Sequence, residues 1–212
     1  IKHVKIIRIG SKMMAFNPFR ISEDPQLLEM ITRYSTPGRK IYIMCHFNHP
    51  RELTPEAIEA CRLMQKAGAI TVNQTPLLRG INDDPEILGE LFNRLSFIGV
   101  PPYYVFQGRP IIGNLIFAVP VEEGYEIFER ARMLCSGLAK RARFVMSHAS
   151  GKIEIIGMTE HVIMMRYHRS AHWGQKARML IFRRNPDAYW LEDFGPALDD
   201  YNPLQESYAQ GF

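Results

Sequence analysis

Short apolar runs alternate along the first two-thirds of this chain with segments that carry complete helix-start chemistry. That alternation constrains the fold more than any other feature. Residues 5–9, 41–47, 69–73 and 103–106 are strand-like runs. Between them, residues 25–34 read as a helix. Thr54-Pro55-Glu56 and Asp84-Pro85-Glu86 each supply a capping oxygen, a proline at the first helical position and an acid in the first turn. Ile58, Cys61, Leu63, Met64 and Ala67 keep the helical period after the first start, and Ile87, Leu88, Leu91, Leu95 and Ile98 after the second. Gly68 and Gly99 stand where each helix should stop. Residues 124–137 predict a further helix and residues 143–147 a further strand. This order implies a parallel sheet with right-handed crossovers, an α/β architecture.

The texture changes after residue 143. His148-Ala149-Ser150-Gly151-Lys152 is a loop of small residues ending in a lysine. Residues 152–156, 161–167, 179–183 and 189–191 read as short strands of a small β-rich extension. The sequence therefore divides into 1–147, a part of a barrel-like α/β domain; 148–194, the lysine loop and extension; and 195–212, a tail with little core-forming capacity.

Composition excludes several classes. No run of about 18 apolar residues occurs, so no membrane helix is expected. The cysteines, Cys45, Cys61 and Cys135, lie too far apart for a CxxC pair, and an odd count without a framework points to a reducing, cytoplasmic setting. Residues 139–184 hold ten Lys/Arg against two acids, whereas residues 185–212 hold six acids and no Lys/Arg. A solvated basic face neutralised by the acidic tail accounts for this, and no nucleic-acid-binding motif accompanies it. Ile1-Lys2-His3 offers neither an initiator Met nor a signal peptide, so a chain extending upstream is expected.

Ligands of open α/β sheets bind beyond the carboxyl ends of the strands. Polar clusters stand there after four successive strands: Arg8-Ile9-Gly10-Ser11, His46-Phe47-Asn48-His49-Pro50, Asn73-Gln74-Thr75 and Gln107-Gly108-Arg109-Pro110. His46 and His49 could ligate a metal, but no third ligand stands nearby, so none is expected. Lys152 could form a Schiff base with an aldehyde cofactor, or be a surface turn lysine. No Gly-rich nucleotide cradle or nucleophile elbow is present.

Ile6-Ile7-Arg8-Ile9-Gly10-Ser11, the His46–Pro50 string, Asn73-Gln74-Thr75-Pro76-Leu77-Leu78-Arg79-Gly80-Ile81-Asn82-Asp83 and Pro102-Tyr103-Tyr104 resemble, in order and spacing, the lysine 2,3-aminomutase-like radical SAM family. The likeness covers about residues 1–160. It implies a partial (β/α) barrel of the radical SAM type, of which this chain has only the C-terminal strands. It also implies three cofactors: S-adenosylmethionine, a [4Fe-4S] cluster that cleaves it, and pyridoxal phosphate. The implied activity moves an amino group between neighbouring carbons of a small amino-acid substrate, in a cytoplasmic homo-oligomer. By the resemblance, His46 and Gln74 contact S-adenosylmethionine and Lys152 carries pyridoxal phosphate.

Three departures from the family pattern stand out. The CxxxCxxC cluster motif is absent, so no metal ligand is expected in this chain and the chain alone should be inactive. A missing early strand would also leave a sheet edge unpaired. Arg109 stands where lysine-specific members carry one of two aspartates, and Ser147 stands near the other; Arg109 prefers a carboxylate, which disfavours lysine as substrate. The stretch before Lys152 is only partly glycine-rich. Two other readings stay open: a radical SAM reaction without pyridoxal phosphate, and an inactive homologue serving as a binding module.

Overall fold

The computed structural model describes residues 3–170 and 172–201. They fall into two compact units. One comprises residues 1–75, 84–104 and 131–142, the other 76–83, 105–130 and 143–212, each as far as described.

The first unit opens with β1 (Ile6–Ser11), then two single-turn helices, α1 (Met13–Phe16) and α2 (Phe19–Ser22), that the sequence pattern did not announce. Next come α3 (Pro25–Tyr34), β2 (Lys40–Cys45), α4 (Pro55–Lys66), β3 (Ile70–Pro76), α5 (Pro85–Phe97) and the start of β4 (Pro102–Phe106). The expected caps form. Thr54 Oγ1 accepts from Ala57 N at 3.2 Å, and an Asp84 carboxylate oxygen accepts from Glu86 N at 2.7 Å. Gly68 and Gly99 take positive φ, 96° and 75°, just past α4 and α5, a conformation that glycine adopts without penalty.

Strands β1, β2 and β3 run parallel in register, Arg8 beside Tyr42 and Met44 beside Val72. Among the described residues strand β1 pairs with β2 alone. Ile41, Ile43 and Cys45 of β2 point into a core with Ile31, Ala57, Ala60, Cys61, Met64, Leu91 and Leu95 from the helices. The opposite face of the same strands is therefore left for other work. These parallel βα units are those of an open, partial (β/α) barrel, as the fold class expected.

In the second unit α6 (Val121–Met133) packs on an antiparallel meander: β5 (Arg143–His148), β6 (Gly151–Met158), β7 (Val162–Ser170), β8 (Met179–Arg183) and β9 (Asp199–Tyr201). The helix starts three residues earlier than 124. Glu122 and Glu123 form its acidic first turn, and Gly124 lies inside it, where a Cβ would meet Phe144 and Leu77 at 2.9 and 3.0 Å. Register makes two faces of the meander. Met146, Ile153, Ile155, Met165, Leu180, Ile163 and Phe182 line an apolar one. Lys152, Glu154 and Arg166 share the other.

Two expectations are corrected here. Residues 189–191 are not a strand: Asp193 accepts from the backbone N–H groups of Tyr189 and Trp190, both at 2.9 Å, and Leu191–Phe194 closes a 3-10 turn. Local capping takes the donors a ladder would need. Within the expected tail, Asp199–Tyr201 pairs with β8 instead; residues 202–212 lie outside the described residues.

Candidate functional site

In the first unit the face of the sheet opposite the core carries a cavity of about 500 Å³ lined by Ile6, Arg8, Tyr42, Met44, Val72 and Tyr103. These are alternate residues on successive strands, the period-2 signature of one sheet face. Continuing that alternation, Gln74 follows Val72 on the same face of β3, and His46 stands one residue past the end of β2; neither is among the residues that line the cavity. Arg8, grouped with a rim cluster in the sequence, belongs to the cavity wall.

The loop that presents His46 is held from the other face. Asn73, 1% exposed, accepts from Phe47 N at 2.8 Å and donates to Phe47 O at 3.0 Å. Thr75 Oγ1 donates to Asn48 Oδ1 at 3.0 Å, and Glu52 accepts from Asn48 N at 2.6 Å. Lys12 donates to both His46 O, at 3.0 Å, and Glu52, at 2.8 Å. Odd positions of β3 thus brace the loop, and Gln74 lies on the opposite face of the strand. The sequence marked the whole Asn-Gln-Thr string without separating these roles.

His46 Nε2 is buried and has no hydrogen-bond partner among the described residues. Burial, and then the charge of Lys12, hold its pKa below the ordinary value of 6.5. The unfolded chain therefore takes the proton first as pH falls. His46 costs stability only as pH drops below 6.5, and is neutral in the fold at pH 7. An NMR titration should give a His46 midpoint below 6.5; a midpoint at or above that value would contradict the buried placement.

His49 helps to shape the loop. Its Nδ1 accepts from Arg51 N at 3.0 Å and starts a 3-10 turn. No cluster of three metal-ligating side chains occurs among the described residues. Cys45, Cys61 and Cys135 are buried and free. The Cys61 contact and burial push the Cys45 thiol well up, and burial raises Cys135, so neither is a ready thiolate.

The second unit holds the other two predicted residues. Lys152 stands at the start of β6, opposite Ser147 on β5 and Arg169 on β7. Its amine lies 4.8 Å from the centre of the Phe106 ring, a cation–π contact. The preceding Gly151 has φ 147°, and a Cβ there would overlap the Arg169 carbonyl oxygen. Only glycine lets the turn close that tightly. Behind the turn, Ser150 N donates to His148 Nδ1 at 3.1 Å, so the ring's proton sits on Nε2, facing Glu192 at 2.6 Å. Ser150 Oγ also meets Tyr167 Oη at 2.8 Å. Arg109 is exposed in the loop after β4 and makes no hydrogen bond or ion pair with a described residue.

The sequence missed the charged groups around Lys152. Glu154 accepts from Arg143 at 3.1 Å and from Arg166 Nη2 at 2.8 Å, and His168 Nδ1 lies 3.1 Å from Arg143. Strand alternation from Lys152 could have found Glu154; β7 could not be phased without its bulge.

Comparison with known proteins supplies the family. No family model matches the sequence. A putative L-lysine 2,3-aminomutase of Aquifex aeolicus is 53% identical over 202 residues, 95% of this chain and 54% of the relative. An L-lysine 2,3-aminomutase of Clostridium subterminale is 42% identical over 137 residues, 65% of this chain and 32% of the relative. A glutamate 2,3-aminomutase of Clostridioides difficile is 38% identical over 139 residues, 66% of this chain and 28% of the relative. The chain spans about half the length of the first of these and about a third of the others. The resemblance carried by the His46–Pro50 and Asn73–Asp83 strings is thereby borne out, and the chain belongs to the lysine 2,3-aminomutase-like family.

Proposed function

We propose that this chain is part of a radical SAM aminomutase that shifts an amino group between adjacent carbons of a small amino acid other than lysine. The observation that carries the reaction class is the likeness to lysine and glutamate 2,3-aminomutases. In this reading His46 and Gln74 contact S-adenosylmethionine and Lys152 takes pyridoxal phosphate. The residues fit both groups. A buried, neutral His46 Nε2 with no partner among the described residues suits an uncharged hydrogen bond to a nucleoside or methionyl group, and the cavity on the same sheet is largely apolar, with Arg8 in its wall. An amine on a basic sheet face, presented by a glycine-tight turn, suits an aldehyde bearing a phosphate.

The three cysteines are buried and lie far apart in the chain, so they do not fit a [4Fe-4S] cluster. When bound, S-adenosylmethionine would supply the radical and pyridoxal phosphate the delocalising ring. This chain's part is positioning. Tyr42, Met44 and Val72 exclude water from the cavity, Gln74 and His46 orient the ligand at its rim, and Lys152 offers its amine to the carbonyl.

Arg109 is the basis for excluding lysine. A guanidinium receives a side-chain carboxylate and repels an ammonium. An acidic amino acid is therefore the proposed substrate class, with nucleic acid not a partner. A homo-oligomeric, cytoplasmic enzyme completes the reading. No helix among the described residues is long and apolar enough to cross a membrane.

The test is borohydride trapping of pyridoxal phosphate on the full-length protein, purified without oxygen, with the adduct located by mass spectrometry. An adduct on Lys152, lost in Lys152→Ala, is the expected result. A folded protein with no adduct, or one on another lysine, would reject pyridoxal phosphate chemistry at this residue.

A further inference from the structure

The pairing of β6 with β7 is irregular beside Lys152. Glu154 faces Arg166 and Ile153 faces Tyr167, but Lys152 faces Arg169, so His168 is the extra residue of a bulge. A bulge of this kind lets one strand carry an additional side chain and re-aims its neighbours. Without it, His168 would stand opposite Lys152, and Arg169 would fall on the other face.

The charges on this face can be accounted for one by one. Arg143 and Arg166 are both taken up by Glu154, whose side chain is 12% exposed. His168 is held below the ordinary histidine value by burial, and then by Arg143, so it adds no charge at neutral pH. Arg169 is exposed and has no ion pair or hydrogen bond from its side chain to any described residue. It is the guanidinium left over, one strand away from the Lys152 backbone, a spacing of about 5 Å.

We infer that Arg169 receives the phosphate of the aldehyde cofactor whose carbonyl Lys152 takes. The inference rests on the proposed reading of Lys152 and goes beyond it. The backbone pairing of Lys152 with Arg169 suits the cofactor's own chemistry. Its aldehyde and its phosphate-bearing arm leave adjacent ring carbons, so the two groups call for two neighbouring side chains, one amine and one guanidinium. Arginine binds phosphate through two parallel N–H donors, which fixes the ring's rotation about the lysine bond as well as its affinity. Gly151 is essential to this pairing, because only its missing side chain lets the lysine turn approach the Arg169 backbone.

The test compares two aldehydes on the full-length protein: pyridoxal phosphate, and pyridoxal, which lacks the phosphate. Arg169→Ala should weaken pyridoxal phosphate binding about tenfold while leaving pyridoxal unchanged. Arg169→Lys, which keeps the charge but not the paired donors, should recover part of that loss. Equal weakening for both aldehydes would show a general disturbance of the turn and overturn the assignment, as would no change for either. Lys152→Ala is run alongside. If the adduct survives there, the reading of Lys152 fails; if it is lost there but Arg169→Ala is silent, only the phosphate assignment fails.

Discussion

Asn73→Ala should lower the stability of the protein by about 3 kcal/mol, because it strands two buried backbone groups at once. Asn73 Oδ1 accepts from Phe47 N and Nδ2 donates to Phe47 O, and both residues are essentially inaccessible to solvent. Removing the amide leaves a donor and an acceptor without water or protein to replace it. The effect should not stop at stability. Phe47 lies between His46 and Asn48, so the loop that presents the rim histidine loses its anchor, and binding of S-adenosylmethionine should fall with it. Urea unfolding measures the first effect and equilibrium binding the second. Asn73→Asp, which keeps an acceptor for Phe47 N but has no donor for Phe47 O, should be intermediate. A loss below about 0.5 kcal/mol in Asn73→Ala would mean that the loop is held by other contacts.

Gly151→Ala should be about as damaging, near 3 kcal/mol, for a different reason. The backbone there has φ 147°, which side-chain-bearing residues rarely adopt, and the added methyl would overlap the Arg169 carbonyl oxygen, an atom that cannot swing aside. The β6–β7 ladder must open to relieve the overlap, and Lys152 moves with it. Trapping of pyridoxal phosphate should drop steeply even at temperatures where the variant is folded. Gly157→Ala on the same strand is the control. Its methyl would meet only the flexible end of Met164, at 3.0 Å, so a small change is expected. Comparable losses in the two variants would argue that glycine serves the whole strand and not the lysine turn.

Which parts of this molecule could be read from its sequence follows from how local their causes are. The starts of α4 and α5 were legible because a cap, a proline and an acid act within one turn of chain. The short β9 was not, because Asp199–Tyr201 is a strand only by virtue of its partner β8. Residues 189–191 have strand-like side chains, yet the carboxylate of Asp193 captures their backbone donors first. Around the proposed site, His46 and Gln74 were expectations from the family strings, and Lys152 from the small-residue loop that it ends. The bracing by Asn73 and the cavity-wall place of Arg8 follow from period-2 alternation, which was available but needs the strand's phase. The neighbourhood of Lys152 was hidden, since a one-residue bulge shifts which side chains of β7 share its face.

That bulge also predicts how relatives should differ from this chain when their sequences are set side by side. A ladder that absorbs an extra residue at His168 can lose it again without disturbing the pairs on either side, Lys152 with Arg169 and Ile153 with Tyr167. Variation at this point should therefore take the form of single-residue gaps more readily than of substitutions. A lineage could gain or shed the His168 imidazole beside the lysine by one insertion or deletion, with Arg169 and the rest of the meander keeping their register.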